Sequence, residues 1–313
     1  MKNKGFTRVF TAFVCIVLVM MLFPVSANAD TGPKPSVRIT FENLGDELCY
    51  GTLLSKEEST GPASAWNGNE EDARHNENLN GRYDWQSFGY DVWKAFVDYA
   101  ENDDFYFLQE AWQINDTKEL AWTYYPPKEF KILLYFPETG KYAVSGVYER
   151  YAFDSYFTVN MDDVTLFVDI NEELSSGERI NAYRSYNYSA EGIAFLARII
   201  ITIIIEMVIA FAFGFREKKQ ILLLVGINTG TQIILNVLLN TINYNSGLSA
   251  FVLFYILFEI VVVIVEAILL LVFLNKLSEK PKECWIMITY TVLANAASFG
   301  LGLCLANWLP GIF

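Results

Sequence analysis

Glu206, Glu259 and Glu266 each sit inside a long apolar run in the second half of this 313-residue chain. A carboxylate at the centre of a bilayer costs on the order of 2.5 kcal/mol even on lenient insertion scales. Glutamates in such runs are therefore expected to face protein or water, and to be hydrogen-bonded, neutralised or put to use. Glu259 and Glu266 are seven residues apart, about two helical turns, so their carboxyls share one helix face roughly 10 Å apart along the axis. Asn228, Gln232 and Asn236 recur every four residues and draw a polar stripe, and Asn295 falls at a comparable depth in the last run. Two chemistries fit these types at this spacing. The carboxyls and amides either hydrogen-bond across helices as glue, about 1 kcal/mol or less per bond, or bind a cation or relay a proton. Small residues accompany them: Gly226 and Gly230 form a Gly-x-x-x-Gly pair, and Ala296, Gly300 and Cys304 form a ridge, both patterns that let helices approach closely. Arg198, at the edge of the first run, is expected to snorkel toward headgroups rather than pair with a buried glutamate.

The elements that must carry these residues are four spans, about 199–215, 221–239, 248–274 and 285–309. Arg216, Lys218 and Lys219 follow the first span, and Lys276, Lys280 and Lys282 follow the third. The connection 240–247 and the tail 310–313 carry no Lys or Arg. This asymmetry places the two basic loops in the cytoplasm and the C-terminus outside. Residues 1–29 have the pattern of a secretory signal peptide: Lys2, Lys4 and Arg8, then an apolar core, then Ala27-Asn28-Ala29. Export of the chain from Asp30 onward agrees with the loop charges. The expected organisation is a signal peptide (1–29), an extracellular β-rich domain (30–188) and a four-helix transmembrane module (189–313) in a multi-pass plasma-membrane protein.

Between Asp30 and Asn187 there are 29 Asp and Glu against 13 Lys and Arg. The acidity of the chain thus belongs to the exported part, which excludes nucleic acid as a natural partner and suits solubility, cations or a basic protein. Only Cys49 lies there, so the domain must rest on its hydrophobic core, with Cys49 expected to be buried in it. Val37, Ile39 and Phe41 alternate with polar residues as in a half-buried strand. Further strands are expected at 105–113, 120–125, 130–136, 142–147, 156–161 and 164–170, and one helix at 85–100 with Asp84 as its cap. The architecture expected is a β-rich, sandwich-like domain with one helix packed on it. Residues 55–82 are expected to form a long polar loop. Glu70, Glu71 and Asp72 in it are weak metal candidates, because no Asp-x-Asp-x-Asp-Gly loop and no second His or Cys at ligand spacing accompanies them.

Several functions are excluded by composition. His75 is the only histidine, so a Ser-His-Asp triad in the bundle and a two-histidine metalloprotease site cannot be built. There is no Walker loop and no dinucleotide fingerprint, and no cofactor is expected. Phe211 to Phe215 with the following Arg-Glu-Lys-Lys-Gln, Thr231-Gln232 through Asn236, Glu259 with Glu266, and Asn295-Ala-Ala-Ser298-Phe-Gly300 resemble a family of membrane proteins of gut clostridial Firmicutes. So do the runs Leu134-Tyr-Phe-Pro-Glu-Thr and Tyr148-Glu-Arg-Tyr-Ala-Phe-Asp154. The resemblance implies a Gram-positive plasma-membrane protein with an exported domain and four spans, and carries no activity with it. The leading expectation is a non-enzymatic envelope protein for binding, sensing or assembly, with lipid around it, an unknown extracellular ligand, and a protein partner or second copy in the membrane. The second is a cation- or proton-coupled channel or transporter using the intramembrane glutamates. An intramembrane enzyme with paired carboxyls as acid and base comes third.

Overall fold

The structure, a computed structural model, describes residues 32–69, 72–73, 88–168 and 180–308, with side chains as far as Gly300. The expected signal peptide, His75, Glu70, Glu71 and the side chain of Cys304 lie outside the described residues. The chain divides into two compact units, one spanning Lys34–Tyr186 and the other including the residues from Asn187 onward.

The first unit is β-rich, with three sheets. Its strands are β1 (Ser36–Glu42), β2 (Tyr50–Ser55), β3 (Ser59–Thr60), β4 (Ala63–Ser64), β5 (Tyr106–Phe107), β6 (Trp112–Gln113), β7 (Glu119–Trp122), β8 (Glu129–Phe136), β9 (Lys141–Val144), β10 (Tyr148–Glu149), β11 (Asp154–Asn160) and β12 (Ala182–Arg184). One sheet runs β12-β11-β1-β7, with β1 and β11 parallel from Ser36↔Asp154 to Glu42↔Asn160. The other runs β10-β8-β2-β5, with β6 also on β2 and β9 on β8, and β3 pairs with β4 as a small hairpin.

Strand β8 shows how the layers form. Its residues alternate between faces: Phe130, Ile132, Leu134 and Phe136 join Val37, Ile39, Phe41, Leu120, Trp122, Phe157 and Val159 of the other sheet in one core. Leu133 and Tyr135 face the opposite way, onto α1 (Tyr90–Ala100) through Phe96 and Val97. The result is two sheets sharing a core, with a helix on the far face of the larger sheet.

Several expectations need correction. The helix begins at Tyr90 with Gly89 at its N-cap and no side-chain cap, rather than at Asp84. The stretch 105–113 is two short strands on opposite ends of β2, because Gln109 takes a positive φ of 60° and turns inward to accept from Trp93 Nε1 at 3.1 Å. Residues 164–168 make only a single bridge, Phe167 to Tyr142. Part of the expected polar loop is ordered by the β3–β4 hairpin, with Trp66 edge-on to Trp93. Strand β2 went unseen because Gly51 interrupts it and its other residues are nearly all buried on both faces, which erases the period-two pattern. Cys49 is a fully buried free thiol, as its apolar neighbours predict.

The second unit is helical: α2 (Tyr188–Ala212), α3 (Lys218–Leu277) and α4 (Cys284–Trp308). Asn187 caps α2, its Oδ1 accepting from Ala190 N at 3.0 Å. Helix α3 is 60 residues long, about 90 Å if straight, but Gly247 breaks it with φ 77° and ψ −179°. Pairs on either side of this glycine meet, Thr231 with Glu266 and Gln220 with Ser278, so the two arms, 218–246 and 248–277, form an antiparallel hairpin. The connection expected at 240–247 is therefore helix up to residue 246, held by Thr241 Oγ1 and Asn245 Nδ2 donating to carbonyls four residues back. Helices α2 and α3 are long and apolar enough to cross a membrane, and 284–300 is a shorter apolar helix.

Candidate functional site

The helical unit is apolar outside and carries a layer of polar groups among its buried apolar residues. On α2 the residues Ile193, Leu196, Ile200, Ile204 and Val208 are exposed, while Glu206 is 1% exposed on the opposite face. All seven polar residues singled out by spacing are buried: Glu206, Asn228, Gln232, Asn236, Glu259, Glu266 and Asn295. Four-residue spacing on the first arm of α3 puts its amides on one stripe toward the other segments.

These groups form two clasps and one incomplete site. Glu206 on α2 accepts from Asn228 Nδ2 on the first arm of α3 and, at 3.5 Å, from Ser298 Oγ on α4. Glu266 on the second arm accepts from Thr231 Oγ1 on the first arm at 2.6 Å and from Asn295 Nδ2 on α4 at 2.6 Å. Each carboxyl thus ties three helical segments, and both oxygens of each are satisfied by donors. Asn236 Nδ2 donates to the backbone oxygen of Gln232 at 2.9 Å and to its side-chain oxygen at 3.3 Å.

Glu259 is different. Tyr255 lies one turn earlier on the same helix, and the Glu259 Oε2 is buried without a hydrogen-bond partner. Glu259 lines a cavity of about 250 Å³ together with Gln232, Asn236 and Ser298. Arg198, Tyr255, Phe251 and Phe299 line the same cavity, and Tyr255 packs on Phe299 with ring centroids 5.0 Å apart. Arg198 does not simply reach outward: its Nη2 donates to Asn240 Oδ1 at 2.9 Å, and its Nε is buried without a partner. Beyond the clasps, an apolar cluster of Phe215, Leu224, Leu270, Leu274 and Met287 fills the other end of the unit, with the unpartnered Tyr290 hydroxyl beside it.

Spacing in the chain did not single out Thr231, Tyr255 or Ser298 as site residues. Thr231 and Ser298 lie three residues after Asn228 and Asn295, on the same helix faces, which is the signal that finds them. Gly226 and Gly230 lie on the exposed face, and an added Cβ at either, or at Gly300, would meet nothing within 4 Å. Ala296 is also exposed. Ala210 and Ala294 are the small residues buried in the apolar cluster of the unit. Of the metal candidates, Asp72 is occupied by Asn67 Nδ2 at 2.8 Å and Asn69 Nδ2 at 3.3 Å. Among the described residues no group of three His, Cys, Asp or Glu could hold a metal ion. No family model, curated protein or solved structure matches this chain.

Proposed function

We propose that the chain is a multi-pass plasma-membrane protein, non-enzymatic, in which an exported β domain is joined to a four-span helical module that binds and senses a ligand. An apolar exterior with carboxyls and amides turned inward supports placing the helices in lipid, since a water-soluble bundle turns its polar groups outward. The basic residues after α2 and after the second arm of α3 support cytoplasmic connections there. The outward Gly226 and Gly230 suit contact with a partner helix or a second copy.

One observation carries the binding assignment, the contrast among the three glutamates. Glu206 and Glu266 are spent as clasps, whereas Glu259 flanks a cavity with an oxygen unpartnered. A purely structural glutamate would be satisfied like the other two. The same cavity favours a second function, cation or proton coupling, because it brings an opening next to one buried carboxyl. Full-length protein in proteoliposomes containing a pH-sensitive dye, under imposed proton, Na⁺ and K⁺ gradients, separates the two. Flux no greater than in protein-free vesicles is expected; flux that disappears in Glu259→Gln replaces binding by coupling.

A further inference from the structure

The cavity contains two unmet demands of opposite kind. Arg198 carries a guanidinium whose Nε lacks a partner, and its hydrogen bond goes to the neutral Asn240. Among the described residues it joins no ion pair. Glu191, two turns earlier on α2, is the carboxylate whose charge acts on Arg198, but it makes no ion pair with it. A guanidinium Nε held among helices without a partner is costly, so Arg198 has a place for a further anionic acceptor. Glu259 is 8% exposed with Oε2 unpartnered, and calls for a donor or a cation. Phe251, Tyr255 and Phe299 line the same cavity as aromatic walls.

We propose that this cavity binds a small zwitterion of amino-acid size, its carboxylate on Arg198, its ammonium on Glu259, and its apolar body against Phe251, Tyr255 and Phe299. The proposal rests on the binding function given above and names its ligand class. A molecule with both charges answers both buried groups at once, whereas an ion of either sign leaves the other demand standing. The size agrees: about 250 Å³ is the room of about eight waters at ~30 Å³ each. Gln232, Asn236 and Glu259 in the lining offer hydrogen-bond partners that an acyl chain would leave unused.

The test uses full-length protein in nanodiscs of phosphatidylcholine, with binding followed by calorimetry and by the shift in Tm. The probes are the twenty amino acids, and for each that binds, the analogues lacking its carboxylate or its amine; for leucine these are 3-methylbutylamine and 4-methylpentanoate. At least one amino acid should bind saturably and raise the Tm, with both analogues at least tenfold weaker. Arg198→Gln and Glu259→Gln should each weaken it at least tenfold. Thr202→Phe, which fills the cavity from α2 and leaves both charged side chains in the chain, should abolish binding while Tm without ligand is retained. If the charge variants fail to fold, the analogue comparison on the unaltered protein and Thr202→Phe still decide.

The proposal is overturned if no amino acid binds, or if the carboxylate-only or amine-only analogue matches its parent. It is equally overturned if Thr202→Phe binds normally, or if stabilisation comes only from added anionic lipid, which would make Arg198 a headgroup contact. Absence of binding together with absence of flux removes the ligand class and leaves the broader binding function open to another ligand. Flux lost in Glu259→Gln removes that function itself.

Discussion

Two carboxyls in this protein carry out the same task with different partners. Glu206 is held by an amide and a hydroxyl, and so is Glu266, and each set of donors comes from two other helical segments. Replacing either by Gln leaves a workable network, because Asn228 or Asn295 can turn its amide and the Ser298 or Thr231 hydroxyl can rotate to accept. Replacing either by Leu removes the carboxyl acceptor of a buried amide and of a hydroxyl, leaving Thr231, Ser298 and Asn295 only backbone carbonyls of their own helices and Asn228 without its acceptor. Glu206→Leu and Glu266→Leu are each expected to destabilise the unit by about 1–3 kcal/mol, and the Gln variants by clearly less, measured by thermal unfolding in detergent. Equal losses for Gln and Leu would show that charge, rather than hydrogen bonding, is what the site needs. Glu259→Gln, at a site whose Oε2 has no hydrogen-bond partner, is expected to leave Tm nearly unchanged. Stability and ligand response should therefore separate across the three glutamates.

At the level of elements, α3 depends on a single residue. Gly247 combines φ 77° with ψ −179°, a region open essentially to glycine alone, where any Cβ is strained by about 1–3 kcal/mol. Gly247→Ala should cost that much in stability and, by disturbing the hairpin, weaken the Thr231–Glu266 contact; unchanged unfolding would mean the arms meet some other way. In the β unit, the Tyr142 ring on β9 packs against Tyr99 of α1 and against Phe167. Burial, followed by the charges of Tyr135 and Asp98, pushes its hydroxyl up to about 12 from an ordinary 10. The folded state therefore keeps a proton that the unfolded state releases first. Tyr142 contributes its full share of stability below pH 10, and that share is lost as pH rises from 10 to about 12. Tyr142→Phe should flatten this alkaline limb in a series of urea melts; an unaltered limb would assign it to other groups. Burial likewise pushes the Cys49 thiol well up, so it should resist alkylation until the unit unfolds.

For the whole molecule, the test of orientation is two single cysteines, at Asn243 and Ser278, in a chain lacking Cys49, Cys284 and Cys304. Cys284 has to be included because it is exposed. An impermeant thiol reagent on intact cells is expected to label position 243 and to leave 278 unlabelled; the opposite pattern inverts the proposed topology. The β unit should fold by itself when its true end is kept. A fragment ending near Ser175 lacks Ile180, which is in the shared core, and β12, which pairs with β11 from Phe157 to Val159. Residues 34–186 should give a soluble, β-rich circular dichroism spectrum, and residues 34–175 a less stable one. Equal melting of the two fragments would show that β12 adds nothing.

The amino-acid sequence by itself determined the division into an acidic β-rich part and an apolar helical part, because composition changes sharply near residue 188 and alternation or helical spacing survives wherever one face is buried and the other is not. It also determined which polar residues would turn inward, since amides and carboxyls four or seven apart share a helix face and cannot be left facing an apolar exterior. Where both faces are buried, as in β2, or where a side chain turns the backbone, as at Gln109, periodicity disappears and only packing decides the element. Tertiary structure alone decided which donor meets which carboxyl. Thr231 meets Glu266 because Gly247 folds α3 back on itself, whereas Asn228 meets Glu206 across the connection from α2 to α3 and Asn295 meets Glu266 across the one from α3 to α4. The same folding left Glu259 without its full set of donors, beside a cavity, and brought Arg198 to the wall of that cavity. No local pattern records this, because a cavity is a property of how helices pack and not of any one of them.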